Sequence, residues 1–417
     1  MVANKAIRST AFIVGSIIIG ILLGLWLKKE ASPLGQVGKF YIDLIKAVAA
    51  PLLFFAILDA IVSSEVQWKS ARRFLGVIAI NTTIAATIGI SLANIFQPGK
   101  HLDLGAKIPD TGLLSQAKDH KVDLVGFIHN LLPNSIVEPF ATSNILGVAF
   151  LAVLVGCALR SFKNLNEPWV ADWERVIHGG YRISEKLITW LVMLTPIAVM
   201  AVVAKSVGEN GFTRLVGLLP YVFYVILGLC LQAFIVYPCW ILLTKRVKLR
   251  DFWRAAAEPV MNAFGINSSL ASLPLTLKAL DGLGISKESS RMGACIGTNL
   301  NNDGILLYES FGVMIVAQGL GLNLPIVTQI SIAFLCVLTA LGIAGVPEAG
   351  IISLAVILGT LGISPEVLPI LLTVDWIIAR MRSVTNVLAD MTTSIVIDRN
   401  PNRPTGSVEP EGAVGLS

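Results

Sequence analysis

The stretch 375–390, DWIIARMRSVTNVLAD, holds the side chains best suited to chemistry. Asp375, Ala379, Arg382, Asn386 and Asp390 fall at i, i+4, i+7, i+11 and i+15, which lines them along one stripe of an α-helix. A guanidinium fork, an amide and two carboxylates can bind charged solutes and hard cations. A charge placed in hydrocarbon costs about 2.5–3.5 kcal/mol even on insertion scales. Such a stripe must therefore face a protein interior, a cavity or an ion, and it reads as the binding site of a transporter.

The elements that must position it are those of a membrane protein. The chain has 417 residues, 54% of them hydrophobic and only 14% charged, with mean hydropathy +0.75. Soluble domains average about 25% charged. Apolar runs near 10–27, 42–62, 74–96, 125–161, 187–208 and 216–244 approach or exceed the ~20 residues a helix needs to cross a bilayer. No secretory cleavage pattern is evident, so the first run, Thr10 to Leu27, reads as a retained helix. Pro133 and Pro139 interrupt the fourth run, which predicts a tilted or broken helix. Residues 98–124 read as an exposed loop and 400–417 as a disordered tail. Basic residues concentrate in 63–73, 162–186 and 245–254, which read as alternate loops on the cytoplasmic side. Lys5 and Arg8 fall on that side too, whereas Lys28 and Lys29 fall opposite. The net charge of +5 then reflects loops rather than nucleic-acid binding. The five cysteines sit in apolar segments without metal spacing and read as small buried hydrophobes. The four histidines form no cluster.

Past residue 254 the pattern changes. FGINSSLASLP (264–274), GTNLNNDG (297–304) and GIAGVPEAG (342–350) break the apolar stretches with Gly, Pro, Asn and Ser. Helices unwound at membrane depth must place their freed backbone against protein, water or ions. Unwound carbonyls suit cations, and helix N-termini suit carboxylates. The plainer alternative is a set of kinks and packing glycines. An enzyme reading lacks a nucleophile–base pair, a metal cluster and a phosphate loop, so neither catalysis nor a cofactor is expected.

These segments resemble the dicarboxylate/amino acid:cation symporter family, which includes the glutamate transporters. SSLASLPLTLKAL (268–280) is similar to the tip and descending arm of that family's first re-entrant hairpin, NNDG (301–304) to its NMDGT motif on a broken seventh helix, AGVPEAG (344–350) to the tip of its second hairpin, and 375–390 to its eighth helix. AVAAPLLFFAILDAIVSS (47–64) and LLPNSIVEPFATSNILGVAFLAVLVG (131–156) fit as well, so the resemblance reaches about residue 398.

The resemblance implies an all-α membrane protein with a glutamate-transporter-like fold of eight transmembrane helices and two re-entrant helical hairpins. Residues 1–250 would be mainly scaffold and trimerisation helices, the third and sixth associating with the core. Residues 251–398 would hold the transport core, and 399–417 a disordered cytoplasmic tail. It further implies a homotrimer in the lipid bilayer of the plasma membrane (the inner membrane if bacterial), multi-pass, with both termini cytoplasmic. Each protomer would transport separately by an elevator-like slide of its core.

Site roles follow from the same resemblance. Asn301, Asn386 and Asp390, with the backbone near Gly297, match a first sodium site. Asp303 matches the carboxylate of a deeper cation site, with Asn81 and Thr82 as further contacts. A further sodium site would use backbone carbonyls around Asn299 and from Leu341 to Ile343. Arg382 would receive the distal carboxylate of the substrate, Ser268 and Ser269 the other carboxylate, and Val346, Pro347 and Gly350 would close over it. Asn386 would touch both substrate and ion networks. The residue types leave open that Asp303 or Asp390 pairs with Arg382 or Arg380, and that Arg382 is a structural partner of Asp375 or Asp390.

The chain departs from the family's pattern at the pocket. Ala379 stands where amino-acid-transporting members have the aspartate that accepts the substrate ammonium, and an unpaired buried ammonium is costly. This favours a substrate without an amino group, of the C4 type such as succinate, fumarate or malate. Ile305 replaces the motif's threonine, which removes a hydroxyl and adds bulk, and Asn302 replaces its methionine. Arg380 reads as a bystander that snorkels or pairs with a neighbouring acid, and Glu348 as a polar tip residue. The expected function is a secondary symporter coupling a sodium or proton gradient to dicarboxylate uptake. The alternatives are an amino-acid symporter with another ammonium acceptor, and an uncoupled anion-conducting or carboxylate-sensing protein.

Overall fold

The computed structural model describes residues 2–63, 68–102, 135–141, 145–211, 216–342, 349–361, 363 and 368–398. The described chain is all-α. Helices α1 (Val2–Leu27), α2 (Gly35–Ser63) and α3 (Trp68–Phe96) are followed by α4 (Ile145–Asn164), α5 (Val170–Val192) and α6 (Thr195–Asn210). Helix α7 (Leu219–Thr244) carries a π turn at Gln232–Val236. Then come α8 (Leu249–Ile266) and α9 (Ser269–Gly282). Helix α10, residues 287–300, contains a second π turn at Arg291–Ile296. Helices α11 (Asp303–Gly319), α12 (Ile326–Gly342), α13 (Ala349–Thr360) and α14 (Leu368–Ile397) complete the chain.

Two helices, Arg72–Phe96 and Leu219–Thr244, are long and apolar enough to cross a bilayer. The pair Val170–Leu191 and Thr195–Glu209, bent by 43°, makes a third candidate among the described residues. Large apolar side chains such as Phe12, Trp26, Phe40, Ile95, Phe223, Phe234 and Leu243 project outward. An outward surface of that kind needs lipid or protein against it. The chain is a multi-pass, membrane-associated helical protein.

Small residues set the closest helix approaches, as expected where lipid tails supply no hydrophobic drive between helices. A Cβ on Gly20 or Gly24 of α1 would come within 2.6 Å of the Met200 or Ala204 carbonyl of α6. A Cβ on Gly89 of α3 would overlap Ser310 Oγ and sit 2.8 Å from the Leu307 carbonyl of α11. Helices α3 and α7 thus pack against α11 and α14, while α2 packs against α4 and α5. Helix α11 is buried on every side from Asp303 to Ala317, and α14 is buried over most of its 30 residues.

Several sequence expectations change here. Residues 162–186, read as a loop, include most of helix α5. Val170, Ile177, Tyr181, Ser184 and Ile188 form its buried face, while Arg175, Arg182 and Lys186 lie outside. An amphipathic helix with a charged outer face mimics a loop in composition. The helix ends before Pro196, whose missing N–H and fixed φ start α6 instead. Arg160 and Lys163 donate to the Ile61 and Val62 carbonyls at 2.7 and 3.1 Å, capping the end of α2. Of the segment 98–124, only 98–102 is described, and Pro98 and Gly99 are buried against α11 rather than exposed. Of the run 125–161, the described part holds one turn at Glu138–Ala141 and helix α4. Only Cys336 of the cysteines is buried, and Cys157 and Cys239 are exposed. The tail 399–417 and Pro133 lie outside the described residues.

Gly89→Val should force α3 away from α11 and cost about 1–3 kcal/mol. Thermal unfolding in detergent should show a lower midpoint, whereas Gly76→Val, with nothing within 4 Å of its new Cβ, should melt like the parent.

Candidate functional site

Helix α14 carries its polar stripe into the centre of the protein. Asp375, Ala379, Arg382, Asn386 and Asp390 are each no more than 3% exposed. Asp375 and Arg382 sit two turns apart on one face and form a bidentate pair. Arg382 Nη1 donates to Asp375 Oδ1 at 3.1 Å and Nη2 to Oδ2 at 2.9 Å. The guanidinium also stacks 4.0 Å from the centre of the Tyr308 ring, a cation–π contact. The first turn of α13 closes the third side, because a Cβ on Gly350 would overlap Arg382 Nη1. The pairing that the residue types left open for Arg382 is therefore with Asp375. A carboxylate arriving at this fork must share the guanidinium with Asp375 or displace it.

Beside this cluster the helical backbone breaks. Asn301 (φ −108°, ψ 64°) and Asn302 (φ −100°, ψ 51°) leave helical geometry between α10 and α11. The first N–H groups of α11 then lack helical partners. Asn386 Oδ1 accepts from Gly304 N at 2.9 Å, and Asn386 Nδ2 donates to Asn302 Oδ1 at 3.2 Å. Asn302 Nδ2 donates in turn to the Ala340 carbonyl near the end of α12, at 3.1 Å. Asn301 Nδ2 donates to Thr393 Oγ1 at 3.1 Å. Gly304 must stay small, since a Cβ there would lie 2.6 Å from the Arg382 carbonyl.

Oxygens without hydrogen-bond partners collect around this break. Gln232 Oε1, Thr298 Oγ1, Asn301 Oδ1, Asp303 Oδ1 and Asp390 Oδ1 are all buried and unpartnered. Thr298, Asn301 and Asp303 all lie near Asp390. Gly297 brings its backbone against Asp390, 3.0 Å from a built Cβ to Oδ1. Native interiors leave few such groups unsatisfied, and a bound ion is one of the standard reasons. Hard oxygen donors of this kind suit an alkali cation.

The other expected residues are placed as follows. Ser268 caps α9, accepting from Ala271 N at 3.2 Å, and follows Asn267, whose left-handed φ of +58° ends α8. Ser269 is buried beside it. Ser383 Oγ donates to Asn267 Oδ1 at 3.2 Å, so this turn touches α14 one residue from Arg382. Ile305 is buried in the apolar core. Asn81 is buried and accepts from Trp240 Nε1 at 2.7 Å, while Thr82 donates to its own helix at the Ile78 carbonyl. Arg380, expected to snorkel or pair with an acid, is buried and donates to the Trp376 carbonyl at 2.6 Å. Asn299 and Leu341 are described in their backbone only, and Ile343, Val346, Pro347 and Glu348 lie outside the described residues. Among the described residues no three His, Cys, Asp or Glu side chains converge as a metal centre.

Sequence reasoning misses four buried polar groups here. Tyr308 carries the Arg382 stack, and Glu309 accepts from Thr339 Oγ1 at 3.1 Å with its other oxygen unpartnered. Tyr237 donates to Asp303 Oδ2 at 2.9 Å, and Gln232 donates to the same oxygen at 3.4 Å. The available signal is a polar side chain inside an apolar run, which the same rule that exposes Arg382 would flag.

The signature of the "Sodium:dicarboxylate symporter family" matches residues 10–400. The chain is 28% identical to a C4-dicarboxylate transport protein of Stenotrophomonas maltophilia over 93% of this chain and 87% of that protein. It is 28% identical to one of Bacillus subtilis over 94% and 93%, and 29% identical to one of Pseudomonas fluorescens over 92% and 87%.

Removing one partner of the Asp375–Arg382 pair strands a buried charge. Asp375→Ala should destabilise by about 3–5 kcal/mol, while the double replacement Asp375→Leu with Arg382→Met should lose much less. Thermal unfolding of both variants beside the parent checks this; a double variant as weak as the single would mean that the stranded charge is not the source of the loss.

Proposed function

We propose that this chain, which belongs to the sodium:dicarboxylate symporter family, is a secondary symporter that moves a C4-dicarboxylate inward on a sodium gradient. The observation that carries the reading is the adjacency, in one buried bundle, of a guanidinium fork at Arg382 and the unpartnered oxygens at the helix break. The relatives named above are C4-dicarboxylate transport proteins, and Ala379 leaves no carboxylate to accept an ammonium at that position.

In this reading Arg382 takes the distal carboxylate of the substrate, sharing or releasing Asp375. The turn at Ser268 and Ser269 takes the other carboxylate, helped by the N-terminus of α9. Val346, Pro347 and Gly350 cover it, with Ala379, Ile305 and Asn386 lining the pocket. One cation lies among Gly297, Asn301, Asn386 and Asp390, a second at Asp303 with Asn81 and Thr82, and a further one on carbonyls of Asn299 and 341–343. A cation between Asp303 and Asp390 would relieve their repulsion, which couples ion binding to the order of the break. Eight transmembrane helices and two re-entrant hairpins, α8–α9 and α12–α13, complete the architecture. Residues 1–250 act mainly as scaffold within a homotrimer, 251–398 slide as the transport core, and both termini are cytoplasmic.

A second reading, an amino-acid substrate, has Glu309 in its favour. Its carboxyl is fully buried, has one unpartnered oxygen and lies within electrostatic reach of Arg382. It could accept the ammonium that Ala379 does not.

Uptake of labelled succinate and labelled aspartate into liposomes, with and without an inward sodium gradient, tests both. Sodium-driven succinate uptake without aspartate uptake is expected. Arg382→Ala should abolish it. Asp390→Asn should raise the half-saturating sodium concentration about tenfold, in line with losing a charged contact of roughly 1.5 kcal/mol. Aspartate uptake that disappears in Glu309→Gln would establish the second reading instead.

A further inference from the structure

The π turn in α7 has a specific consequence for Asp303. Pro238 supplies no N–H and crowds the carbonyl four residues earlier, at Phe234, which favours a widened turn at Gln232–Val236. In an unbroken α-helix, residues five apart point about 140° away from each other. A π turn inserts one extra residue, so Gln232 and Tyr237 come to the same face. Both reach Asp303, although they sit on a helix far from it in sequence.

The two contacts are unequal. Tyr237 Oη donates to Asp303 Oδ2 at 2.9 Å, the length of a sound hydrogen bond. The Gln232 amide is 3.4 Å from the same oxygen, long for a bond to a carboxylate, where about 2.7–2.9 Å is usual. Gln232 is fully buried, its Oε1 has no partner, and neither has Asp303 Oδ1. The two ends of an amide differ by a flip that side-chain shape does not decide. Two oxygens each about 2.4 Å from one ion, at a right angle, stand about 3.4 Å apart. The spacing of the Gln232 amide from Asp303 therefore suits a shared cation better than a direct hydrogen bond.

We propose that Gln232 is a cation ligand, its amide oxygen completing with Asp303 a site for sodium, and that Tyr237 is the positioning residue that holds the carboxylate in place. This rests on the reading of Asp303 as a cation-binding carboxylate, and it adds a ligand from α7 that the helix-break residues do not supply. Trp240, one turn beyond Tyr237, holds Asn81 Oδ1 at 2.7 Å and so ties α3 to the same stretch of α7.

The test is a NaCl titration of the purified full-length chain, read as thermal stabilisation, with choline chloride holding ionic strength constant. Asp303→Asn, Gln232→Leu and Gln232→Glu are compared with the parent. Gln232→Leu should raise the half-effective NaCl concentration about tenfold, yet melt no lower than the parent in choline, since an apolar group then replaces a buried amide whose oxygen has no partner and whose contact to Asp303 is long. A merely structural glutamine would show the opposite. Gln232→Glu, which keeps the oxygen and adds a second one with a charge, should lower the half-effective NaCl concentration. A parental titration in Gln232→Leu, with the response of Asp303→Asn weakened, overturns the role of Gln232 and leaves the Asp303 site standing. A parental titration in all three overturns both. If Gln232→Leu fails to fold or melts lower in choline, Gln232→Glu decides, and an unchanged NaCl response in it overturns the proposal.

Discussion

A helix that stops and restarts inside an apolar bundle leaves backbone groups that water cannot reach. That constraint governs the centre of this protein. Between α10 and α11 the N–H groups opening α11 need acceptors, and Asn386 supplies one to Gly304. The remaining atoms of the Asn386 and Asn302 amides are then spent on each other and on the Ala340 carbonyl. Helix α14 must hold its polar face against the break for this to happen, and that face brings Asp375, Arg382 and Asp390 inward with it. The close fit requires glycine at 304 and 350, because any side chain would meet Arg382.

Burying an ion pair is rarely a way to gain stability, since the desolvation of both charges offsets their attraction. Arg382 and Asp375 accordingly make better sense as a held charge than as a staple. The fork, the Tyr308 ring and the α13 backbone fix the guanidinium in one orientation. A group so confined has little rotamer entropy left to lose. The oxygens near Asp303 and Asp390 are likewise costly to bury without partners.

The polar stripe of α14 is legible in the sequence because charge is rare in an apolar chain, and its period assigns a face without any structure. The break at Asn301 and Asn302 is legible for a similar reason, since Gly, Asn and Asp cluster where a helix should continue. Helix α5 is not legible by composition: its outer charges imitate a loop, and only the spacing of Val170, Ile177, Tyr181, Ser184 and Ile188 betrays the buried side. Gln232 and Tyr237 are harder still. On α-helical spacing they point apart, and only the π turn ahead of Pro238 brings them together. Glu309 is visible as an acid within an apolar run, but its neighbours Thr339 and Ser353 come from other helices, so its surroundings cannot be inferred from local pattern.

The Asn302 side chain is the hinge pin of a thermodynamic cycle. One end of its amide holds the Ala340 carbonyl on α12, and the other is held by Asn386, which caps α11. A displacement of α12 that breaks the first bond unbalances the second, and any event that reorients Asn386 weakens the grip on α12. By linkage the two effects are equal in size. A methionine at this position would lack both polar ends and could make neither bond, so the linkage between α12 and the start of α11 rests on this one amide.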